Sequence, residues 1–514
     1  MLWRLLRTHW PFLVLLAAGL VLRVLVMIAY NPGFWFRGDS NIYVNGAFSH
    51  IPNPSRPFGY SFAVWVLSPF HSVRLIVGLQ HLLGLAVAAL VYAFLRRRSV
   101  SRWWATAAVA PILLDARTVL LEHFLLAESL FIALLVCAVI ALCWSPRPGW
   151  WAVAGAGVLL SAAALTRTIG LPLVGAVVVF LLVRRVGLAR IGVFAVVFAI
   201  PLAGYAVWYQ SHYGVYSLGT YSGRFLWART TSFVQCDKLD LTPAERQICP
   251  PEPLDERMPV DVYIWSRHSP AAKLPEREHD PLFGSFARKA ILAQPGDYAR
   301  TVVVESWLLV RPGPDPDERY TCFEQLWHFP EPGITGCQAA MAPWDPATRE
   351  PRVDVSKYDH ALVPAMHLYG RVATLPATFT AICLLVAVAA PLVRLARRAR
   401  SRDGDRPRGA DDPGGLDTPP PAAEPAAKGA CRDDPGRRDV VDSLFLTGVA
   451  FGMIVISVAT SVMEPRYTVP SIPLAALGAA LALRGRRGTV PPTKPAPVPA
   501  EPVARPVEKE PLAA

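Results

Sequence analysis

Apolar residues in this chain are gathered into long unbroken runs, without the two-residue alternation of a half-buried strand or the narrow stripe of a surface helix. Runs lie near 11–30, 74–95, 101–114, 124–143, 151–165, 170–183, 191–209, 376–395, 441–463 and 468–484. A helix needs about 20 apolar residues to cross the hydrocarbon of a bilayer, so the runs predict an all-α polytopic membrane protein with about ten transmembrane helices. Those at 101–114, 151–165 and 170–183 are short, and one of them is a candidate for a re-entrant or interfacial segment. The first run sits behind Arg4 and Arg7 and ends without a small-residue cleavage site, which reads as a retained span.

The pattern breaks between the seventh and eighth spans. Residues 210–375 are rich in proline, charge and aromatics, and predict a small extracytoplasmic α-rich domain inserted there. Within it, Ala287 to Val310 reads as two amphipathic helices meeting at Pro295-Gly296. Residues 399–438 and 488–514 are too polar and too rich in Pro, Arg, Asp and Glu to bury a core, and read as disordered. The expected organisation is a transmembrane module at 1–209, the outer domain at 210–375, one span at 376–395, a cytoplasmic linker at 396–440, two spans at 441–484 and a tail at 485–514.

Composition narrows the class: 53% of the residues are hydrophobic and 18% charged, which does not fit a soluble multidomain protein. The net charge of +12 does not point to nucleic acid, because the basic residues cluster beside apolar runs, as in the cytoplasmic loops of membrane proteins. Ten crossings put Arg96 to Arg98, Arg184 to Arg190, Arg394 to Arg400 and Arg484 to Arg487 on one side. Both termini are then cytoplasmic in a multi-pass plasma-membrane protein, and 31–73, 115–123, 166–169, 210–375 and 464–467 face outward. Four of the eight cysteines, Cys236, Cys249, Cys322 and Cys337, fall in the outer domain, where oxidation favours disulfides; three pairings are open, and Cys236 with Cys249 and Cys322 with Cys337 close the shortest loops.

Ionisable residues near the ends of spans are the candidates for chemistry. Asp39 is the only carboxylate before residue 115, and follows Phe34-Trp35-Phe36, aromatics suited to stacking on a sugar. Its alternative role is to begin a turn or cap a helix. Tyr43, Arg56 and Tyr60 follow in the same outward segment. Glu122 and Glu128 flank the start of the fourth run, with Glu128 inside an apolar stretch that makes an unpartnered charge expensive. Arg167 lies in an outward turn, and Glu464-Pro465-Arg466-Tyr467 lies between the last two runs. An arginine fork fits phosphate oxygens, although arginines at membrane ends also snorkel to water. No His or Cys set has metal spacing; His123 and His212 look isolated, and Arg23 is a lone charge inside the first run.

In order and sidedness these clusters resemble the GT-C superfamily of polytopic glycosyltransferases, in the phospholipid-carrier-dependent branch that holds protein O-mannosyltransferases and the aminoarabinose transferase of lipid A. The likeness rests on Asp39, Tyr43 and Ala47, on Arg56-Pro57-Phe58-Gly59-Tyr60, on Glu128, on Ala164-Leu165-Thr166-Arg167 before Gly170-Leu171-Pro172, and on Arg466-Tyr467 with the prolines after it. It covers most of 1–210 and 464–484. The resemblance implies that Asp39 is the catalytic base or orients the acceptor, and that Arg466 meets the carrier phosphate with Arg167 and Tyr467 beside it. Ser40 stands where many relatives carry a second acid, and a D-x-D is absent, which implies no required cofactor and leaves a divalent metal possible. The expected reaction moves a sugar from a polyprenyl-phosphate carrier to a hydroxyl of a protein, lipid or polysaccharide acceptor, with Glu128 orienting the sugar or Asp39. A transporter or flippase of lipid-linked sugars is the rival reading, and a scaffold built on the outer domain a third.

Overall fold

A computed structural model describes residues 2–36, 38–274, 276–313, 326–330, 358–375, 378–404 and 435–484. Among them the regular structure is helical, with two isolated bridges, Tyr30 to Tyr358 and Phe34 to Phe124, in place of any sheet. Five stretches are long and apolar enough to cross a membrane: Leu6–Ala29, Val73–Arg97, Leu188–Tyr213, Val363–Val393, which runs across 376 and 377, and Arg437–Thr460. Their outward surfaces carry residues such as Val14, Leu20, Val21, Val196, Ile200, Val207, Leu385 and Leu392, exposed side chains that suit a hydrocarbon solvent.

The remaining apolar runs form shorter helices. Arg102–Leu114 and Ala116–His123 are bent by 48° at Asp115, so they make at most one broken span. The break has a local cause, since Asp115 is extended and its carboxylate caps the second helix through the Thr118 N–H at 2.8 Å. Glu128–Cys143, Trp150–Thr166 and Gly170–Val183 have 16, 17 and 14 residues. The last apolar run, read from sequence as one span at 468–484, divides into a 3-10 helix, Pro465–Ser471, and an 11-residue helix, Ile472–Ala482, every residue of which is buried. This helix is the centre of the bundle and does not face lipid. Helix also extends past the expected linker boundaries, to Gly404 at one end and from Pro435 at the other; the rest of that linker, 405–434, and the tail at 485–514 lie outside the described residues.

Two layers of charge bound the bundle. Arg98 and Arg184, from two basic clusters far apart in sequence, both reach Asp442, and Arg98 also meets Asp439. Arg98 and Arg438 donate to the carbonyl of Cys143 as well. Cys143 ends the helix that Glu128 begins, so this basic layer lies about 22 Å from Glu128 at 1.5 Å per residue. The segment 222–293 has its own small apolar core, in which Trp227, Tyr263, Phe283 and Phe286 pack around the disulfide loop of Cys236 and Cys249. Helices Glu276–Ala293 and Pro295–Leu308 meet at the predicted proline, which takes the first helical position, where no N–H is needed. Cys322 and Cys337 lie outside the described residues.

Arg23, a lone charge in the sequence, is paired. Its guanidinium donates to both Glu122 oxygens at 2.8 Å and to the carbonyls of Gly19, Leu113 and Ile112, which uses every one of its N–H groups. His81 Nδ1 lies 2.9 Å from Glu122, and its Nε2 lies 3.1 Å from Nδ1 of His123, whose other nitrogen donates to the Tyr30 carbonyl. Gly84 makes room for this network, since a Cβ there would lie 1.8 Å from Glu122 Oε1, held in place by Arg23. We expect Gly84→Ala to destabilise the protein by about 3–5 kcal/mol, the cost of breaking a buried ion pair. Gly78→Ala in the same helix, whose added methyl would meet only Met27 at 3.8 Å, serves as the control. Thermal unfolding of purified protein in lipid nanodiscs measures both, and equal midpoints for the two variants would contradict the account.

Candidate active site

Each candidate charge stands where a chain segment ends or turns. Asp39 opens the helix Asp39–Ser49 and Glu128 opens Glu128–Cys143, so both carboxylates sit at helix N-termini, where the macrodipole favours negative charge. Arg167 caps the C-terminus of Trp150–Thr166 in extended backbone, the complementary placement for a cation. Gly59 lets the segment after Arg56 press against that terminus: a Cβ there would lie 2.5 Å from the Leu165 carbonyl. Asp39 is held from behind as well. Phe34 exchanges backbone hydrogen bonds with His123 and Leu125, and the Ser40 hydroxyl accepts from the Phe36 N–H while donating to the Leu125 carbonyl.

These segments bring their charges to one place. Asp39 Oδ2 lies 2.9 Å from Arg466 Nη2, and Asp39 Oδ1 lies 2.9 Å from Arg56 Nη2. Arg466 also pairs with Glu464 at 2.9 Å and with Glu128 at 3.5 Å, and Glu128 pairs with Arg167. One guanidinium is therefore shared by three carboxylates. Aromatic rings close around it, with Phe36, Trp327 and Tyr467 centred 4.9, 5.0 and 5.4 Å from the Arg466 carbon. Tyr467 also lies under Arg167 at 5.3 Å, while Arg56 is covered by Phe225 and Trp265 of the inserted segment at 5.3 and 5.6 Å.

The cluster is buried unevenly. Side-chain exposure is 1% for Glu128, 3% for Arg466, 4% for Glu464 and 6% for Asp39, but 18% for Arg56 and 17% for Arg167, so those two guanidiniums are the least buried members of the cluster. Two inner acceptors, Glu128 Oε2 and Glu464 Oε1, are buried with no hydrogen-bond partner. Burial pushes the Asp39 carboxyl up, but Arg56, Arg466 and Arg167 outweigh it and hold the group well below the usual carboxylate range. Burial prevails at Glu464: with Asp39 and Glu128 adding to it, this carboxyl is pushed above its ordinary value despite Arg466.

Asp39, Glu128, Arg56, Arg167, Arg466 and Tyr467 therefore share one site. Tyr43 borders it through the charges of Asp39, Arg56, Arg167 and Glu128, and its ring meets that of Tyr60 edge-on at 4.8 Å. Tyr60 turns away, donating to Gln80 at 2.5 Å. Glu122, expected to line the substrate, is not brought to this cluster: both its oxygens are taken by Arg23, in the separate network behind the Asp39 loop. Nor is His123 isolated, since it belongs to that network. Glu464 joins the site without a role read from the sequence, although its place beside Arg466 between two apolar runs is a signal for one. Trp327, Phe225 and Trp265 come from an inserted segment with no pattern to flag them. Among the described residues no group of three or more His, Cys, Asp or Glu side chains is arranged to hold a metal ion.

Arg466→Met leaves three carboxylates facing one another without their shared cation. We expect a loss of about 3–5 kcal/mol, larger at about pH 8 than at about pH 5. The wild-type contribution of Asp39, a carboxyl held low in the folded protein, is present in full at both pH values, because it fades only below the unfolded carboxylate pKa; the pH dependence comes from the variant. Without Arg466 the ionised acids repel, and protonation relieves them. Thermal midpoints of wild type and variant at both pH values test this; a deficit that is greater in acid contradicts it.

The chain matches no protein-family model, and no curated protein or solved structure matches it.

Proposed function

We propose that the protein is a membrane glycosyltransferase of the GT-C type, transferring a sugar from a polyprenyl-phosphate carrier to an acceptor hydroxyl at the outer face of the plasma membrane. In this reading the shorter helices complete about ten crossings, the layer of Arg98, Arg184 and Asp442 is cytoplasmic with both termini, and the Asp39 cluster is outward. The observation that carries the proposal is the convergence of Asp39, Arg56, Glu128, Arg167 and Arg466, from distant stretches of chain, into one buried cluster with unpartnered acceptor oxygens.

That arrangement suits the two ends of a sugar phosphate. Arg56 and Arg167, the partly exposed guanidiniums, receive the phosphate oxygens, while Arg466 holds the carboxylates in register behind them. Glu128 Oε2 accepts a hydrogen bond from a sugar hydroxyl. Asp39 takes the acceptor proton as the hydroxyl oxygen attacks the anomeric carbon, and the bond to the phosphate oxygen breaks with its electron pair leaving on the phosphate. Two arginines on Asp39 make it a weak base at rest; a phosphate that draws Arg56 toward itself restores its basicity at the moment of use. Trp265 and Phe225 offer stacking surfaces for a protein, lipid or polysaccharide acceptor.

The test is transfer by the reconstituted protein from labelled polyprenyl-phosphate sugars. Asp39→Asn is expected to cut turnover by about 10²–10⁴, the span of a general base's contribution. Unchanged turnover would remove Asp39 from that role. Carrier that crosses the bilayer with no glycosidic product formed would favour a flippase instead.

A further inference from the structure

The charges in this cluster close on themselves. Among the described residues, three carboxylates, Asp39, Glu128 and Glu464, face three guanidiniums, Arg56, Arg167 and Arg466. With all six ionised the set is neutral, so its three guanidiniums are already balanced when an anion arrives. A further negative charge brought into so buried a place is opposed by three carboxylates at short range, in surroundings that screen poorly. One carboxylate that takes up a proton as the anion enters removes the conflict.

The three acids are not equivalent in this respect. Asp39 is shared by two guanidiniums, as is Glu128 Oε1. Among the described residues Glu464 is paired with Arg466 alone, and its Oε1 is buried and unpartnered, where a proton has nothing to displace. The neighbouring charges divide, and burial sides with the acids. Arg466 on its own 3-10 helix opposes protonation, while Asp39 from one helix and Glu128 from another favour it. Tyr467 is uncharged at neutral pH, and Arg229, which reaches the nearby Ser461 carbonyl, is already neutralised by Glu305. Arg466 Nε and Nη1 are buried without a hydrogen-bond partner, so a weaker ion pair to Glu464 leaves that edge of the fork able to donate to a phosphate oxygen.

We propose that the cluster binds a singly charged phosphodiester head group together with one proton, and that Glu464 is the residue that takes the proton. This rests on the reading that the cluster receives a phosphate, and adds that the ligand arrives as an anion and a proton together.

The probe is a methyl polyprenyl phosphodiester, whose single charge does not titrate near neutrality, so any proton taken up goes to the protein. Dimethyl phosphate is the arm without a lipid tail. Titration calorimetry of the full chain in nanodiscs, in two buffers of different ionisation enthalpy, counts the protons and needs no variant. We expect uptake of up to one proton per bound diester, and an affinity that weakens toward about tenfold per unit as pH rises. Glu464→Gln, a neutral isostere, should bind without uptake and with an affinity flat in pH. Uptake with both probes assigns recognition to the head group, and uptake with the lipid probe alone assigns anchoring to the tail; both support the coupling. Binding with no proton exchange overturns it while leaving the phosphate reading intact, as does uptake undiminished in Glu464→Gln. Failure of wild type and variant to bind either probe overturns both.

Discussion

A single guanidinium organises the buried charge cluster of this molecule. Arg466 reaches Asp39, Glu128 and Glu464, which arrive from the segment after the first helix, the start of a central helix and its own turn. Each of those ions costs several kcal/mol to remove from water, and the attraction between them repays it only when the geometry is good. The chain supplies that geometry locally, through helix termini whose dipoles match the charges placed on them. It supplies it globally through the fully buried helix Ile472–Ala482, which follows directly on the turn carrying Arg466 and fixes its height in the bundle.

The same logic explains why the two polar networks on this side remain separate. Glu122 and Glu128 are six positions apart in sequence, yet the chain leaves helix between them, and each meets its own arginine. The inner pair with Arg23 is sealed and every donor is used, so it serves as a fixed wall against which the loop of Phe34 to Ser40 hangs. The outer set keeps acceptor oxygens unpartnered and two guanidiniums partly exposed. A saturated network suits support; an unsaturated one has capacity left for a ligand.

Hydropathy made the helical class and the apolar runs legible, because those follow from composition over some twenty residues. It could not tell a lipid-facing helix from one buried on all sides, which is why 468–484 read as an ordinary span when Ile472–Ala482 is in fact enclosed. The break at Asp115 was hidden for a related reason: one capping side chain barely alters the hydropathy of its window. At the site, Asp39, Glu128, Arg167 and Arg466 were each visible as charges at the ends of apolar runs. Their partners were not, since pairing over such separations leaves no periodic trace. Glu122 went astray on this point, its true partner lying 99 residues away inside the first helix. Cysteine placement named Cys236 with Cys249 as one option among several, and that pair is bonded.

Why arginine holds the centre follows from shape as much as charge. Serving three acids at once requires separate N–H edges pointing in fixed directions, and a flat face for Phe36 and Trp327; a lysine ammonium offers one point and no plane. The rings that stack on Arg466 also shut out water, and this strengthens every interaction within the cluster. That gain has a consequence for whatever binds there. A water-filled groove would absorb a change of charge by reorienting solvent, whereas this enclosure can do so only through its own side chains. The charge a ligand carries must therefore be met by a shift of an arginine or a change in protonation, and the group with a single partner and an unpartnered oxygen is the one placed to change.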